Sequence, residues 1–120
     1  MYPELEQLIE VVNLLRDPQK GCPWDLKQTH QSLLQYLIEE AHEFIHAVET
    51  NNSKLMEEEI GDVLLQVLLH CRIAKEQNNF SLESAAAKLR EKLIRRHPHV
   101  FISPEPHLNP EEVVQKWNLI

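Results

Sequence analysis

From Ile60 to Ala74 the chain reads Ile-Gly-Asp-Val-Leu-Leu-Gln-Val-Leu-Leu-His-Cys-Arg-Ile-Ala. Wound as a helix at about 100° per residue, this segment carries apolar side chains on every side. A helix of that kind is expected to be buried from several directions. The rest of the chain agrees with a helical fold. Only two glycines occur among 120 residues, while Leu, Glu, Gln, Ala and Lys are plentiful, a mixture that favours helix over strand. With 42% hydrophobic residues at this length, one domain spanning 1–120 with a single core is expected. The fold class read from this pattern is all-α, a helical bundle.

Punctuation divides the chain into four main helices and a short fifth. The first is expected over about Glu4 to Arg16, with Leu5, Leu8, Ile9, Val12 and Leu15 at helical spacing, and stops at Asp17-Pro18. A loop through Gly21-Cys22-Pro23-Trp24-Asp25 follows. The second helix covers about Thr29 to Thr50 and the third about Lys54 to Gln77, with breaks at Asn51-Asn52-Ser53 and Asn78-Asn79. Ser81 is the expected cap of the fourth, which runs to Arg96 and stops before Pro98. Asn109-Pro110-Glu111-Glu112 opens the fifth with a cap residue, a proline and two acids in its first turn.

The same buried helix carries carboxylates. Leu55, Glu59, Asp62, Gln66, Leu69 and Ile73 share one stripe, so two acids one turn apart lie in a largely apolar surface. An ionised carboxylate in such a place is costly unless paired or bound to a cation. The second helix has a core stripe of Leu33, Leu34, Leu37, Ile38, Ala41, Phe44, Ile45 and Val48. Glu40 lies at its edge, Glu43 one turn on and nearer solvent, and Tyr36 and Ala47 share their side. Glu39 points away from that face. If the two helices pack antiparallel, the two Glu-x-x-acid pairs face each other and repel strongly. With oxygen ligands only, the compensating ion would be hard and divalent, Mg²⁺ first and Mn²⁺ second. Acids near helix starts also have a plainer use: Glu57 and Glu58 suit the helix dipole.

These residues resemble a known family. Glu39-Glu40-Ala41-His42-Glu43 followed by Glu59-Ile60-Gly61-Asp62 looks like the E-E-x-x-E … E-x-x-D signature of the MazG-type pyrophosphohydrolases. Gly21-Cys22-Pro23-Trp24-Asp25, Gln28-Thr29-His30, the stretch Lys92 to Phe101 and Trp117 also resemble MazG segments, in order and at compatible spacing. The resemblance implies a four-helix arrangement completed by dimerisation. It also implies Mg²⁺-dependent hydrolysis of an NTP or dNTP between the α- and β-phosphates, giving the monophosphate and pyrophosphate. By position, Glu40, Glu43, Glu59 and Asp62 would be metal ligands, and Glu39 would assist, orienting the attacking water. Lys92, Arg95 and Arg96 would stabilise charge on the phosphates, and their plainer role is to favour a helix C-terminus. Trp117 and Tyr36 would contact the nucleotide. Trp24 is either a second stacking residue or a plug bracing its loop. The histidines are expected to be structural or exposed.

Composition trims the alternatives. A net charge of −7 argues against a general nucleic-acid binder. No apolar run approaches the roughly 20 residues that span a bilayer, and the first residues lack the pattern of a signal peptide, so a cytoplasmic address is expected. Cys22 and Cys71 are expected to be free thiols. The apolar third helix suggests self-association as a homodimer or dimer of dimers. Two rivals are a ferritin-type di-metal protein, for which Glu39-x-x-His42 supplies one of the two required pairs, and a non-catalytic helical interaction domain.

Overall fold

The computed structural model describes residues 1–103 and 108–119. Among them are seven helices and no strand: α1 (Pro3–Leu15), α2 (Pro23–Leu26), α3 (His30–Glu49), α4 (Ser53–Glu76), α5 (Leu82–Arg96), α6 (Pro98–Phe101) and α7 (Pro110–Leu119). The all-α expectation holds. The two one-turn helices, α2 and α6, are additions to it. Each opens with proline at its first position, where the missing N–H costs nothing, and each is too short to show a period.

The chain falls into two compact units, Met1–Leu82 and Glu83–Ile120. In the first, α3 and α4 form an antiparallel hairpin joined by three residues, with α1 packed against α4. The hairpin's ends follow local chemistry. Thr29 caps α3 by accepting from the Ser32 N–H, while the Ser32 hydroxyl receives the Thr29 N–H in return. Asn51 takes a left-handed φ of 55°, and the Asn52 N–H reaches back to the Ala47 carbonyl, ending the helix. Asn52 then caps α4 through the Leu55 N–H. Asn78, with φ of 59°, repeats the device after α4. Both asparagine breaks expected from the sequence are therefore left-handed helix stops.

Val12, Leu33, Leu68, Leu69 and Ile73 form the buried core, bordered by Leu8, Ile9, Tyr36, Leu64, Leu65 and Leu82. The expected inner stripe of α3 needs correcting. Leu33 and Ala47 are buried and Leu37 and Phe44 are half-buried, but Leu34, Ile38, Ala41, Ile45 and Val48 are exposed. The helix turns its Leu33–Tyr36–Glu40–Ala47 side inward, so it has two apolar faces and this unit covers one. On α4 the stripe of Gln66, Leu69 and Ile73 is buried as expected, while Ile60 and Val67 remain exposed.

Arg16 fixes the start of α3 relative to α1 and α4. Although it is only 6% exposed, it makes a two-pronged ion pair with Glu76 of α4, at 2.6 and 3.1 Å. Its remaining amine donates to the carbonyls of Asp25 and Gln28, just ahead of α3. The guanidinium holds the Glu76 carboxyl below its usual range. Beside it, Gly21 meets a crowded backbone: an added Cβ would lie 2.5 Å from the carbonyl oxygens of Asp17 and Leu15.

In the second unit, α7 begins as expected, with the Asn109 side chain accepting from the Glu112 N–H at 2.9 Å. Contacts within this unit join the end of α5 to α7: the Arg96 guanidinium lies over the Trp117 ring, which also meets His97.

Candidate metal centre and phosphate-binding residues

The antiparallel hairpin brings Glu40 and Glu43 of α3 opposite Glu59 and Asp62 of α4. One oxygen from each lies within 4.8 Å of all the others. Four carboxylates at that separation repel one another. One oxygen of Glu40 and one of Glu59 are buried with no hydrogen-bond partner. An unpartnered buried carboxylate oxygen is the kind of group that demands a cation.

Their protonation reflects the strain. Burial raises the Glu40 carboxyl above its usual range, helped by the charges of Glu43, Asp62 and Glu39. Glu59 is pushed up to about 7 by desolvation, by a hydrogen bond shared with Glu43, and by the charges of Glu43, Asp62 and Glu40. Without a cation, the Glu59 carboxyl therefore keeps its proton well above the usual carboxylate range.

The remaining expected residues are distributed as follows. Glu39 is exposed and outside the four-carboxylate group, though its charge acts on Glu40. Asp62 departs from expectation in being exposed, because the outer side of α4 at Gly61–Asp62 is uncovered in a single chain. Tyr36, one turn before Glu40, is half-buried against the core. Trp24 does not plug its loop: it is half exposed, with its ring edge-on to Tyr36 at 5.9 Å. In the second unit Lys92 and Arg95 are exposed on α5, and Arg96 and Trp117 are half-buried.

Two residues that sequence reasoning left without a role stand out. Gln66, one turn beyond Asp62, is 5% exposed and its Oε1 has no partner. His99 is also buried, with an unpartnered Nδ1. A polar residue on an otherwise apolar stripe was the only available signal for Gln66. His30 and His70 prove structural, as expected for the histidines: their Nδ1 atoms are 2.8 Å apart, linking α3 to α4.

A helical hairpin that gathers four carboxylates, two of them with unsatisfied oxygens, defines an all-α protein of the carboxylate-cluster class, compatible with a divalent metal site. Its family can be stated directly. The MazG nucleotide pyrophosphohydrolase domain matches residues 28–101, and the chain belongs to that family. It is 54% identical over 96 residues to the nucleoside triphosphate pyrophosphohydrolase/pyrophosphatase MazG of Thermotoga maritima, covering 80% of this chain and 37% of that protein. It is 35% identical over 117 residues to the nucleoside triphosphate pyrophosphohydrolase of Escherichia coli strain K12, covering 98% and 44% respectively. The chain therefore spans less than half the length of these relatives. The crystal structure of a mazG-related protein from Thermotoga maritima superposes with a TM-score of 0.78 at 35% identity, over 95% of this chain and 96% of that one.

Proposed function

We propose that this chain hydrolyses nucleoside triphosphates, ribo- or deoxyribo-, to the monophosphate and pyrophosphate with Mg²⁺ as its cation. The observation that carries this reading is the group of four carboxylates on α3 and α4, with oxygens within 4.8 Å of one another, in a chain of the MazG family. The two relatives described above are themselves named as nucleoside triphosphate pyrophosphohydrolases. The family match runs across both compact units, which supports reading 1–120 as one domain.

The residues fit a cation on chemical grounds. All four donors are carboxylate oxygens, which suit Mg²⁺, with Mn²⁺ as a substitute, better than softer metals. The orphaned oxygens of Glu40 and Glu59 are the groups a divalent ion would satisfy. When bound, the metal supplies charge for the phosphate oxygens and makes a coordinated water more acidic. Glu40, Glu43, Glu59 and Asp62 would hold it. Glu39, exposed beside Glu40, accepts a hydrogen bond from the attacking water and aims it at the α-phosphorus. Lys92, Arg95 and Arg96 neutralise the charge that grows on the departing pyrophosphate. Tyr36 contacts the nucleotide.

The ferritin-type reading loses its one supporting pair, since Glu39 and His42 are exposed and outside the cluster. Self-association is part of the proposal: the uncovered apolar faces of α3 and α4 support a homodimer or dimer of dimers. Product analysis tests the reaction. With Mg²⁺, NMP and pyrophosphate should appear together and chelation should abolish both. NDP and orthophosphate as first products would refute it.

A further inference from the structure

The pair Glu39-x-x-His42, left over once the ferritin-type reading falls, runs on one turn later into His46. All three residues lie on α3, at i, i+3 and i+7, so they share one side of the helix. That side is neither of the two apolar ones. At 100° per residue, the histidine pair sits about 140° round from the inward Leu33 and Ala47, and about 70° from the open apolar face at Ile38 and Ile45. Glu39, His42, His46 and Glu49 are all exposed there.

The other described histidines are already engaged. His30 and His70 meet through their Nδ1 atoms, and the His97 Nδ1 lies 2.6 Å from the Leu93 carbonyl oxygen. His99 is buried, with its ring centroid 5.5 Å from that of His97. Among the described residues, His42 and His46 alone have no hydrogen-bond, ion-pair or ring partner. Residues at i and i+4 have Cβ atoms about 5–6 Å apart, so side-chain rotation can bring one nitrogen of each imidazole onto a single ion. Two histidines at this spacing on one helix face are the pair that binds zinc in helical His-x-x-x-His sites. Imidazole suits Zn²⁺, Ni²⁺ and Cu²⁺, whereas a set of oxygens alone suits Mg²⁺.

We propose that His42 and His46 form a second metal site, on the solvent side of α3, for a divalent transition cation of the zinc, nickel or copper kind. The two imidazoles bind the ion and water fills its remaining positions. Glu39 and Glu49, one turn to either side on the same exposed face, add negative charge that favours a cation there. The site is separate from the carboxylate centre, because Glu40 and Glu43 meet Glu59 and Asp62 on the side of α3 turned to α4. The difference in donor chemistry keeps the two sites selective for different ions.

The test is calorimetric titration of the untagged full chain with Ni²⁺, with Mg²⁺ in large excess to occupy the carboxylates and no nucleotide present. The proteins are wild type, His42→Gln, His46→Gln, the His42→Gln/His46→Gln double variant and Asp62→Asn. Both histidines are exposed, so their replacement does not touch the core. Wild type should bind one ion per chain. Either single substitution should weaken binding by more than roughly tenfold, since even outer-shell partners of a metal site are worth that much. The double variant should lose the binding, and Asp62→Asn should bind as wild type does. Cu²⁺ supplies a second readout: its electron paramagnetic resonance spectrum should show nitrogen coupling in wild type that disappears in the double variant. Ni²⁺ affinity unchanged in the double variant would overturn the proposal. So would its loss in Asp62→Asn, which would put the ion on the carboxylates, and so would wild type that binds no Ni²⁺. Neither nucleotide nor turnover enters the measurement, so its failure leaves the proposed hydrolysis standing.

Discussion

Glu59 has a folded-state carboxyl pushed up to about 7 from 4.5, chiefly by desolvation and then by its hydrogen bond with Glu43. A raised acid favours the folded state most where it is protonated. Its contribution is therefore complete below 4.5 and is lost as pH climbs through about 7. Metal-free protein should lose thermal stability across that window, and Mg²⁺ should restore it. At a hundred times its dissociation constant the ion should add about 2.7 kcal/mol if it binds only the folded state. The charge of Asp62 raises both Glu40 and Glu59. Asp62→Asn should therefore be inactive, melt higher than wild type without metal, and gain much less from Mg²⁺. Thermal melts with and without Mg²⁺ at neutral pH check this, and a variant melting well below metal-free wild type would make Asp62 a satisfied structural residue. The Glu-x-x-acid spacing on two adjacent helices made these four residues legible. Arg16 was not, because its value comes from Glu76 sixty positions away and from two loop carbonyls. Asp62's exposure was hidden for a related reason: apolar composition shows that a helix face seeks cover, not whether its own chain provides it.

The α3–α4 hairpin is pinned by a pair of histidines whose geometry is more specific than a ring contact. The two imidazoles are parallel within 8°, with centroids 5.0 Å apart and Nδ1 atoms 2.8 Å apart. That centroid distance is about the nitrogen gap plus two ring radii, so the rings lie end to end in one plane rather than face to face. One Nδ1 donates and the other accepts, which requires that both rings not be protonated at once. Burial, and then the His30 charge, hold His70 below its ordinary 6.5. A lowered histidine stabilises the fold above its unfolded value and loses that contribution as pH falls through the folded one. The hairpin should weaken in acid below about 6.5. His70→Phe should cost about 1 kcal/mol at neutral pH for the hydrogen bond and show a flatter acid limb. Melting both proteins from pH 5 to 8 tests it, and an unchanged acid limb would assign the acid sensitivity elsewhere. At this scale the helix boundaries were legible, since Thr29, Asn51 and Asn78 act through local backbone chemistry. The inward face of α3 was not, because apolar residues occupy two faces and the choice belongs to packing against α4.

For the molecule as a whole, the uncovered faces argue for a partner copy. Leu34, Ile38, Ile45 and Val48 on α3 are 51%, 59%, 49% and 47% exposed, and Ile60 and Val67 on α4 are 47% and 43%. Apolar side chains at helical spacing, left this open on the hairpin that carries the carboxylates, need cover in water. Light scattering at low micromolar concentration should give a dimer or tetramer, and Ile38→Glu with Ile45→Glu should shift it toward monomer. An active wild-type monomer would contradict this part of the account. In the proposed reaction, water attacks the α-phosphorus at the four-carboxylate centre. Hydrolysis of an NTP in ¹⁸O-labelled water with Mg²⁺, followed by ³¹P NMR, locates the attack directly. The account predicts the label in the monophosphate and none in pyrophosphate, and label in pyrophosphate or in released orthophosphate would contradict it.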